Sequence, residues 1–292
     1  MRVAKWQGLG NDYLVIEESE LQGGLDPEKI RTLCDRNLGV GADGVLVKYP
    51  PSGSLPGAVA RMRIFNPDGS ESEMCGNGMR IFARYLHTAG LVGEEEFVVE
   101  TLAGAIRPRL EEGDRVRVDM GTARFRSSSV TEAAGPGDII DSTLRAGGKD
   151  YRFTFVDVGN PHCVVQVDDP YAFDVTGVGP LIENHPYFPN RVNVEFISVL
   201  ADGSVRMRVW ERGAGETQAC GTGATAVGAA CVRMGLATSP VAVHLAGGDL
   251  IIETTVVSES GGTGAMQVHM SGPAEEVFTA ELSDEFLLRL AD

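Results

Sequence analysis

Arg61-Met62-Arg63-Ile64-Phe65, leading to Cys75-Gly76-Asn77-Gly78, is the stretch whose reading decides the fold, because the chain repeats it. Arg206-Met207-Arg208-Val209-Trp210 leads to Cys220-Gly221-Thr222-Gly223, 145 residues later at each matched position, and Glu71 and Glu216 keep the same offset. Working outward, Gly10-Asn11 with Val15 recurs as Gly159-Asn160 with Val164, now 149 residues apart. Leu102-Ala103-Gly104 recurs as Leu245-Ala246-Gly247, and a short alternating segment follows each, 115–118 and 266–269. Order and spacing hold over most of the chain, so it reads as two homologous halves.

Local patterns repeat with the motif. Period-2 alternation predicts strands over 62–65 and 205–210, and further strands are expected over 44–48, 97–100, 164–167, 192–199, 241–245 and 250–257. Each Cys-Gly-x-Gly opens a helical run, 79–86 stopped by Gly90 and 224–232 stopped by Gly235. The second run is small and apolar on nearly every side, as a helix buried all round must be. The expected class is α+β, with two pseudo-symmetric domains from an internal duplication, each a β-sheet wrapped around a central helix.

Composition narrows the function. The 292 residues are 43% hydrophobic and 23% charged, which suits a well-cored globular chain with room for two domains. A net charge of -16 argues against nucleic-acid or anionic-membrane partners. No run approaches the roughly 18 apolar residues of a membrane span, and the opening residues lack a signal peptide's apolar core. The expected compartment is therefore the cytoplasm. Five cysteines without CxxC spacing point to free thiols rather than a disulfide framework or a zinc site. Gly39-Val40-Gly41-Ala42-Asp43-Gly44 fits GxGxxG, but a helical run over 26–37 precedes it and a strand follows. That is the reverse of the order dinucleotide binding needs.

Two equivalent cysteines at two helix starts suggest a chemistry. Inverting the α-carbon of an amino acid takes a proton from one face and returns one to the other. A thiolate serves as base if the partial positive charge at a helix start lowers its pKa. The flanking glycines bring N–H groups to a carboxylate and to the charge of the carbanion. Pseudo-twofold halves would aim Cys75 and Cys220 at one carbon from opposite sides. Cys34, Cys163 and Cys231 have no counterpart in the repeat and read as core.

The residues are now specific enough to show a resemblance to the diaminopimelate epimerase family. It rests on Gly8-Leu9-Gly10-Asn11-Asp12, Asn66-Pro67-Asp68-Gly69-Ser70, Glu73-Met74-Cys75-Gly76-Asn77-Gly78, Gly159-Asn160-Pro161-His162, Val192-Asn193, Glu211-Arg212-Gly213, Glu216-Thr217 and Ala219-Cys220-Gly221-Thr222-Gly223. The resemblance implies a cofactor-independent, metal-free epimerase that interconverts LL- and meso-diaminopimelate in lysine and peptidoglycan-precursor biosynthesis. It implies Cys75 and Cys220 as acid–bases, with Gly76, Asn77, Gly221 and Thr222 on the reacting carboxylate. It implies Asn11, Asn66, Asn160, Asn193, Glu211 and Arg212 on the amino groups and distal carboxylate, with His162 and Glu211 tuning the thiols. It also implies a homodimer, an active site in the cleft between the domains, and a C-terminal segment that returns to the first of them. The expected division is 1–120 with 275–292, and 121–274.

Gly44 departs from relatives that carry glutamine there. It stands opposite Asn193 in the repeat, and as a ligand it offers only backbone. Several candidates keep structural alternatives: Asn66 and Asn160 as turn formers before proline, His162 as a core histidine, Arg212 as a solvated charge. The nearest rival function is a two-thiol racemase of the proline type, which would not need Arg212 and several asparagines for a second carboxylate. A thiol–disulfide oxidoreductase would usually place its cysteines close together in sequence.

Overall fold

The computed structural model describes residues 1–21, 23–73, 75–131, 135, 137–257 and 264–291. Met74 of the quoted motif therefore lies outside the described residues. In chain order the elements are β1 (Arg2–Gly8), β2 (Asn11–Glu17), α1 (Pro27–Cys34), β3 (Val45–Tyr49), β4 (Ala58–Phe65), β5 (Glu71–Ser72), α2 (Gly76–Thr88), β6 (Val98–Thr101), β7 (Gly104–Ile106), β8 (Arg109–Glu111) and β9 (Arg115–Ala123). There follow β10 (Ser142–Ala146), β11 (Lys149–Asp157), β12 (Pro161–Gln166), α3 (Val175–Glu183), β13 (Asn193–Val199), β14 (Val205–Glu211), β15 (Gly215–Thr217), α4 (Gly221–Arg233), β16 (Val241–Leu245), β17 (Gly248–Val256), β18 (Met266–Pro273), β19 (Glu275–Glu281) and α5 (Asp284–Ala291). Two compact units result: Met1–Val118 with Gly272–Asp292, and Asp119–Ser271.

In the first unit the sheet runs β19-β1-β2-β3-β4-β6-β7, with β5 on β4. Leu14, Ile16, Val45 and Val47 pack with Ile30 and Leu33 of α1 and Leu290 of α5. The alternate residues face α2, whose Met79, Ile81, Phe82, Ala83 and Leu86 are buried. Burial on both faces explains why β2 reads as a continuous apolar run rather than an alternation. Asp26 caps α1 by accepting from the Lys29 N–H at 2.9 Å, with Pro27 at the first helical position. The helix ends at Cys34, short of the expected 37, where Asp35 turns extended and its carboxylate takes the N–H groups of Asn37 and Leu38.

The second unit repeats this plan. Through this unit the sheet order is β10-β11-β12-β13-β14-β16-β17-β18-β9, with β15 on β14. Phe153, Phe155, Cys163, Val194 and Phe196 pack with Val175 and Ile182 of α3, and α4 lies on the other face. The registers agree to the residue. Val15 pairs Leu46 in the parallel β2–β3 ladder, and Val164 pairs Glu195 in β12–β13, each 149 positions on. Ile64 pairs Ser72 and Val209 pairs Thr217, each 145 on. Even the ion pair across that hairpin recurs: Arg63 grips Glu71 at 2.6 and 2.8 Å, and Arg208 grips Glu216 at 2.7 and 3.0 Å.

Candidate active site

Both cysteines are helix N-caps. Cys75 caps α2 in extended conformation and its sulfur accepts the Gly78 N–H at 3.3 Å. Cys220 caps α4 in the same way, accepting the Gly223 N–H at 3.3 Å. The first-turn N–H groups of a helix have no intrahelical acceptor, so those of Gly76, Asn77, Gly221 and Thr222 form a donor set beside each sulfur. Small residues are needed there. A Cβ on Gly223 would lie 2.9 Å from Glu195 Oε1, and one on Gly78 would lie 3.2 Å from Leu46 Cδ2.

In the first unit Asn77 Nδ2 donates to Asn11 Oδ1 at 3.1 Å, and Asn11 Nδ2 donates to Asp43 Oδ2 at 2.9 Å. Behind them Arg80 Nη1 donates to Asn77 Oδ1 at 3.0 Å. Arg80 is fully buried: desolvation lowers its pKa to about 10, and the charge of a Cys75 thiolate works the other way. Asp12 anchors the loop, held by Arg36 at 2.6 Å and Lys5 at 2.9 Å. Burial raises its pKa, and those bonds outweigh burial to bring it down to about 2. Asn66 starts a turn closed by Gly69 N–H to Asn66 O at 2.9 Å, and its amide donates to Ser70 Oγ at 2.9 Å. Its side-chain oxygen is what it can offer a ligand. Gly44 contributes no ligating side chain, and a Cβ there would sit 2.5 Å from the Phe65 carbonyl oxygen and 2.6 Å from the Tyr13 ring.

In the second unit the hydrogen bonds form a chain. Glu195 Oε1 meets His162 Nδ1 at 2.6 Å, His162 Nε2 meets Asn160 Oδ1 at 3.0 Å, Asn160 Nδ2 donates to Thr222 Oγ1 at 3.4 Å, and Thr222 Oγ1 lies 3.5 Å from Cys220 Sγ. Both ring nitrogens of His162 are thus engaged away from the thiol, which it reaches only through intermediaries. Glu211 acts on the thiol through its charge, and it accepts a hydrogen bond from Thr217 Oγ1. Asn193 braces the neighbouring loop, donating to Pro161 O at 3.0 Å and accepting from Arg212 N–H at 2.9 Å. Glu183 completes that brace, accepting from Trp210 Nε1 at 2.7 Å and Gly213 N–H at 2.9 Å. The Arg212 guanidinium is exposed and donates to Asn190 O at 3.2 Å.

The thiols differ from expectation in one respect. Burial pushes Cys220 well above its ordinary value, and the Glu211 and Glu195 carboxylates push it further; the Thr222 and Gly223 hydrogen bonds offset only part. A helix start alone predicts the opposite sign, and two acidic neighbours in a dry setting overturn it. Cys34, Cys163 and Cys231 are buried, and burial raises all three, Cys34 to about 11 and Cys231 to about 12. Tyr13, Arg80 and Glu195 escaped sequence reasoning. The available signal was a charge inside an apolar helix or strand, at Arg80 and Glu195.

A profile of the family described as Diaminopimelate epimerase matches residues 3–126 and 154–276. The diaminopimelate epimerase of Moorella thermoacetica is 48% identical over 96% of this chain and 99% of its own length. That of Pelotomaculum thermopropionicum is 48% identical over 96% and 98%. Among solved structures, a PhzF-family phenazine biosynthesis protein from Bacillus anthracis shares the fold at TM-score 0.67 and 19% identity, covering 97% of this chain and 99% of its own. A hydroxyproline epimerase from Agrobacterium vitis does so at TM-score 0.63 and 18% identity, covering 96% and 91%. Both show a two-domain α+β architecture in common with this chain.

Proposed function

The chain belongs to the diaminopimelate epimerase family, and on that premise we propose that it interconverts LL- and meso-2,6-diaminopimelate by a two-base mechanism in which Cys75 and Cys220 are the acid–base pair. The observation that carries the proposal is the matched pair of cysteine N-caps, each sulfur accepting an N–H at 3.3 Å in its own half of the duplication.

The resting protonation follows from the surroundings. Burial and two carboxylates keep Cys220 a thiol. Cys75 is then the base. Its thiolate takes the α-proton of one isomer, the electron pair left on carbon is delocalised into the carboxylate, and Cys220 delivers its proton to the opposite face. Cys75 ends as thiol and Cys220 as thiolate, which is the arrangement the reverse reaction needs; proton exchange with water resets the pair. The N–H groups of Gly76, Asn77, Gly221 and Thr222 hold the carboxylate and its developing charge. Asn11, Asn66, Asn160 and Asn193, with Glu211 and Arg212, take the amino groups and the distal carboxylate; neutral amides suit both, and Arg212 can hold a carboxylate bidentately. His162 orients Asn160. All acid and base in the reaction come from the chain.

We further assign the enzyme to lysine and peptidoglycan-precursor biosynthesis in the cytoplasm, as a homodimer. Among the described residues, no helix is long and apolar enough to cross a membrane. Chiral chromatography of LL-diaminopimelate incubated with the protein tests the activity: the meso isomer should accumulate to equilibrium from either side. Inversion of free proline with no turnover of diaminopimelate would reassign the chain to the racemase type.

A further inference from the structure

Tyr13 of β2 is buried, 5% exposed, and its hydroxyl oxygen lies 3.4 Å from Cys75 Sγ. The ring occupies space that exists because residue 44 is glycine. A Cβ on Gly44 would stand 2.6 Å from Tyr13 Cε1 and 3.1 Å from Cδ1, with the Phe65 carbonyl closing the other side at 2.5 Å. Backbone on one side leaves the ring as the group that would have to move.

The second unit fills the equivalent positions differently. His162 stands 149 residues after Tyr13, and its ring nitrogens turn to Glu195 and Asn160. Asn193 stands 149 after Gly44, and its amide braces Pro161 and Arg212. The hydroxyl beside Cys220 comes instead from Thr222, on the capped helix itself, at 3.5 Å. Among the described residues each sulfur therefore has a hydroxyl neighbour, supplied by a different element in each half. A hydroxyl facing a thiolate can only donate, and such charge-assisted bonds are about twice as strong as neutral ones.

We propose that Tyr13 is a further catalytic residue: its hydroxyl donates to the Cys75 thiolate, and Gly44 is the small residue that seats its ring. This rests on the two-thiol reading and explains the glycine at position 44 as a packing requirement of the base rather than a lost ligand. Among the described residues, the charged and titratable groups beside Cys75 include Tyr13 from β2, Arg80 from α2 and Glu73 just before it in sequence; Asp12 and Asp43 are paired with Lys5 and Arg36. The Gly78 N–H donates from the helix start.

The test is the pH dependence of iodoacetamide alkylation at Cys75, read peptide by peptide by mass spectrometry, in wild type, Tyr13→Phe, Gly44→Ala and the double variant. Losing a hydrogen bond to a charged sulfur should raise the Cys75 midpoint by about one pH unit in Tyr13→Phe, about ten-fold less thiolate at a given pH below it. Gly44→Ala should move the midpoint the same way by displacing the ring. The double variant should go no further than Tyr13→Phe alone, and the Cys220 midpoint should stay put in all three. A Tyr13→Phe curve that overlays wild type overturns the proposal, and that isosteric variant decides the matter alone if Gly44→Ala misfolds. Alkylation needs no turnover, so this outcome is separable from failure of the two-thiol reading, which would appear as epimerisation surviving Cys75→Ala.

Discussion

Replacing Glu211 by glutamine removes one anion from the surroundings of the Cys220 thiol and keeps the shape of the side chain. Burial is the largest cause of the raised Cys220 pKa, and Glu211 is the next. Two unit charges about 4 Å apart at an effective dielectric of about 20 interact by roughly 4 kcal/mol, an upper bound of about three pH units. Glu211 is partly open to solvent, and screening brings the expected effect down to about one or two units. The sign follows from charge: an anion disfavours a thiolate beside it, so its removal must lower the midpoint. The assay is alkylation of Cys220 followed against pH in the wild type and Glu211→Gln. An unchanged or higher midpoint in the variant would refute the assignment of Glu211 as a group that helps keep Cys220 protonated. Turnover should fall as well, because a Cys220 ionised at rest cannot donate.

Other consequences concern the fold. Gly228→Ala puts a Cβ 2.4 Å from Ile252 Cγ2 where α4 crosses β17; overpacking costs about 1–3 kcal/mol and outweighs the roughly 1 kcal/mol gained in helix propensity. With the cost at the upper end of that range for so close an approach, a net loss of about 1–2 kcal/mol should appear as a lower urea midpoint, and an equal or higher one would mean the helix shifts freely. Asp12, ionised in the folded state down to about pH 2, contributes stability above its ordinary value of 3.8 that is lost as pH falls between the two. Asp12→Asn should flatten that limb of the acid-unfolding curve; an unaltered limb counts against the Arg36 and Lys5 pairing. At the alkaline end, thiols raised to about 11 at Cys34 and about 12 at Cys231 stay protonated while the unfolded chain ionises from about pH 9. Stability should therefore fall above pH 9, by up to about 1.4 kcal/mol per pH unit per cysteine, and Cys231→Ala should make the slope shallower in urea titrations.

How far sequence reached depended on whether a feature was written twice. The strand–cysteine–helix stretch appears in both halves, so β4 with α2 and β14 with α4 were legible to within a turn, cysteine caps included. α3 was not: Gly177, Gly179 and Pro180 lie inside it, a composition that argues against a helix. Tertiary packing overrides propensity there, since a Cβ on Gly179 would strike Trp210 Cγ at 2.6 Å. The asparagines stood out as polar residues in glycine-rich turns. Glu195 did not, because its partner His162 is 33 residues away, and only the parallel β12–β13 ladder brings them together. Its Oε2 is buried and without a hydrogen-bond partner among the described residues, a degree of burial that no periodicity reveals. The upward push on Cys220 was hidden for the same reason: it comes from desolvation and through-space charge.

Isotope exchange in D2O, measured at early times from LL-diaminopimelate, bears most directly on the paired thiols. Two bases on opposite faces give meso product carrying deuterium at the inverted carbon, while recovered LL substrate stays unlabelled. The same experiment with Cys75→Ala and with Cys220→Ala should show no epimerisation in either. Deuterium appearing equally in substrate and product, or epimerisation surviving the loss of either cysteine, would contradict a mechanism that divides the proton transfer between Cys75 and Cys220.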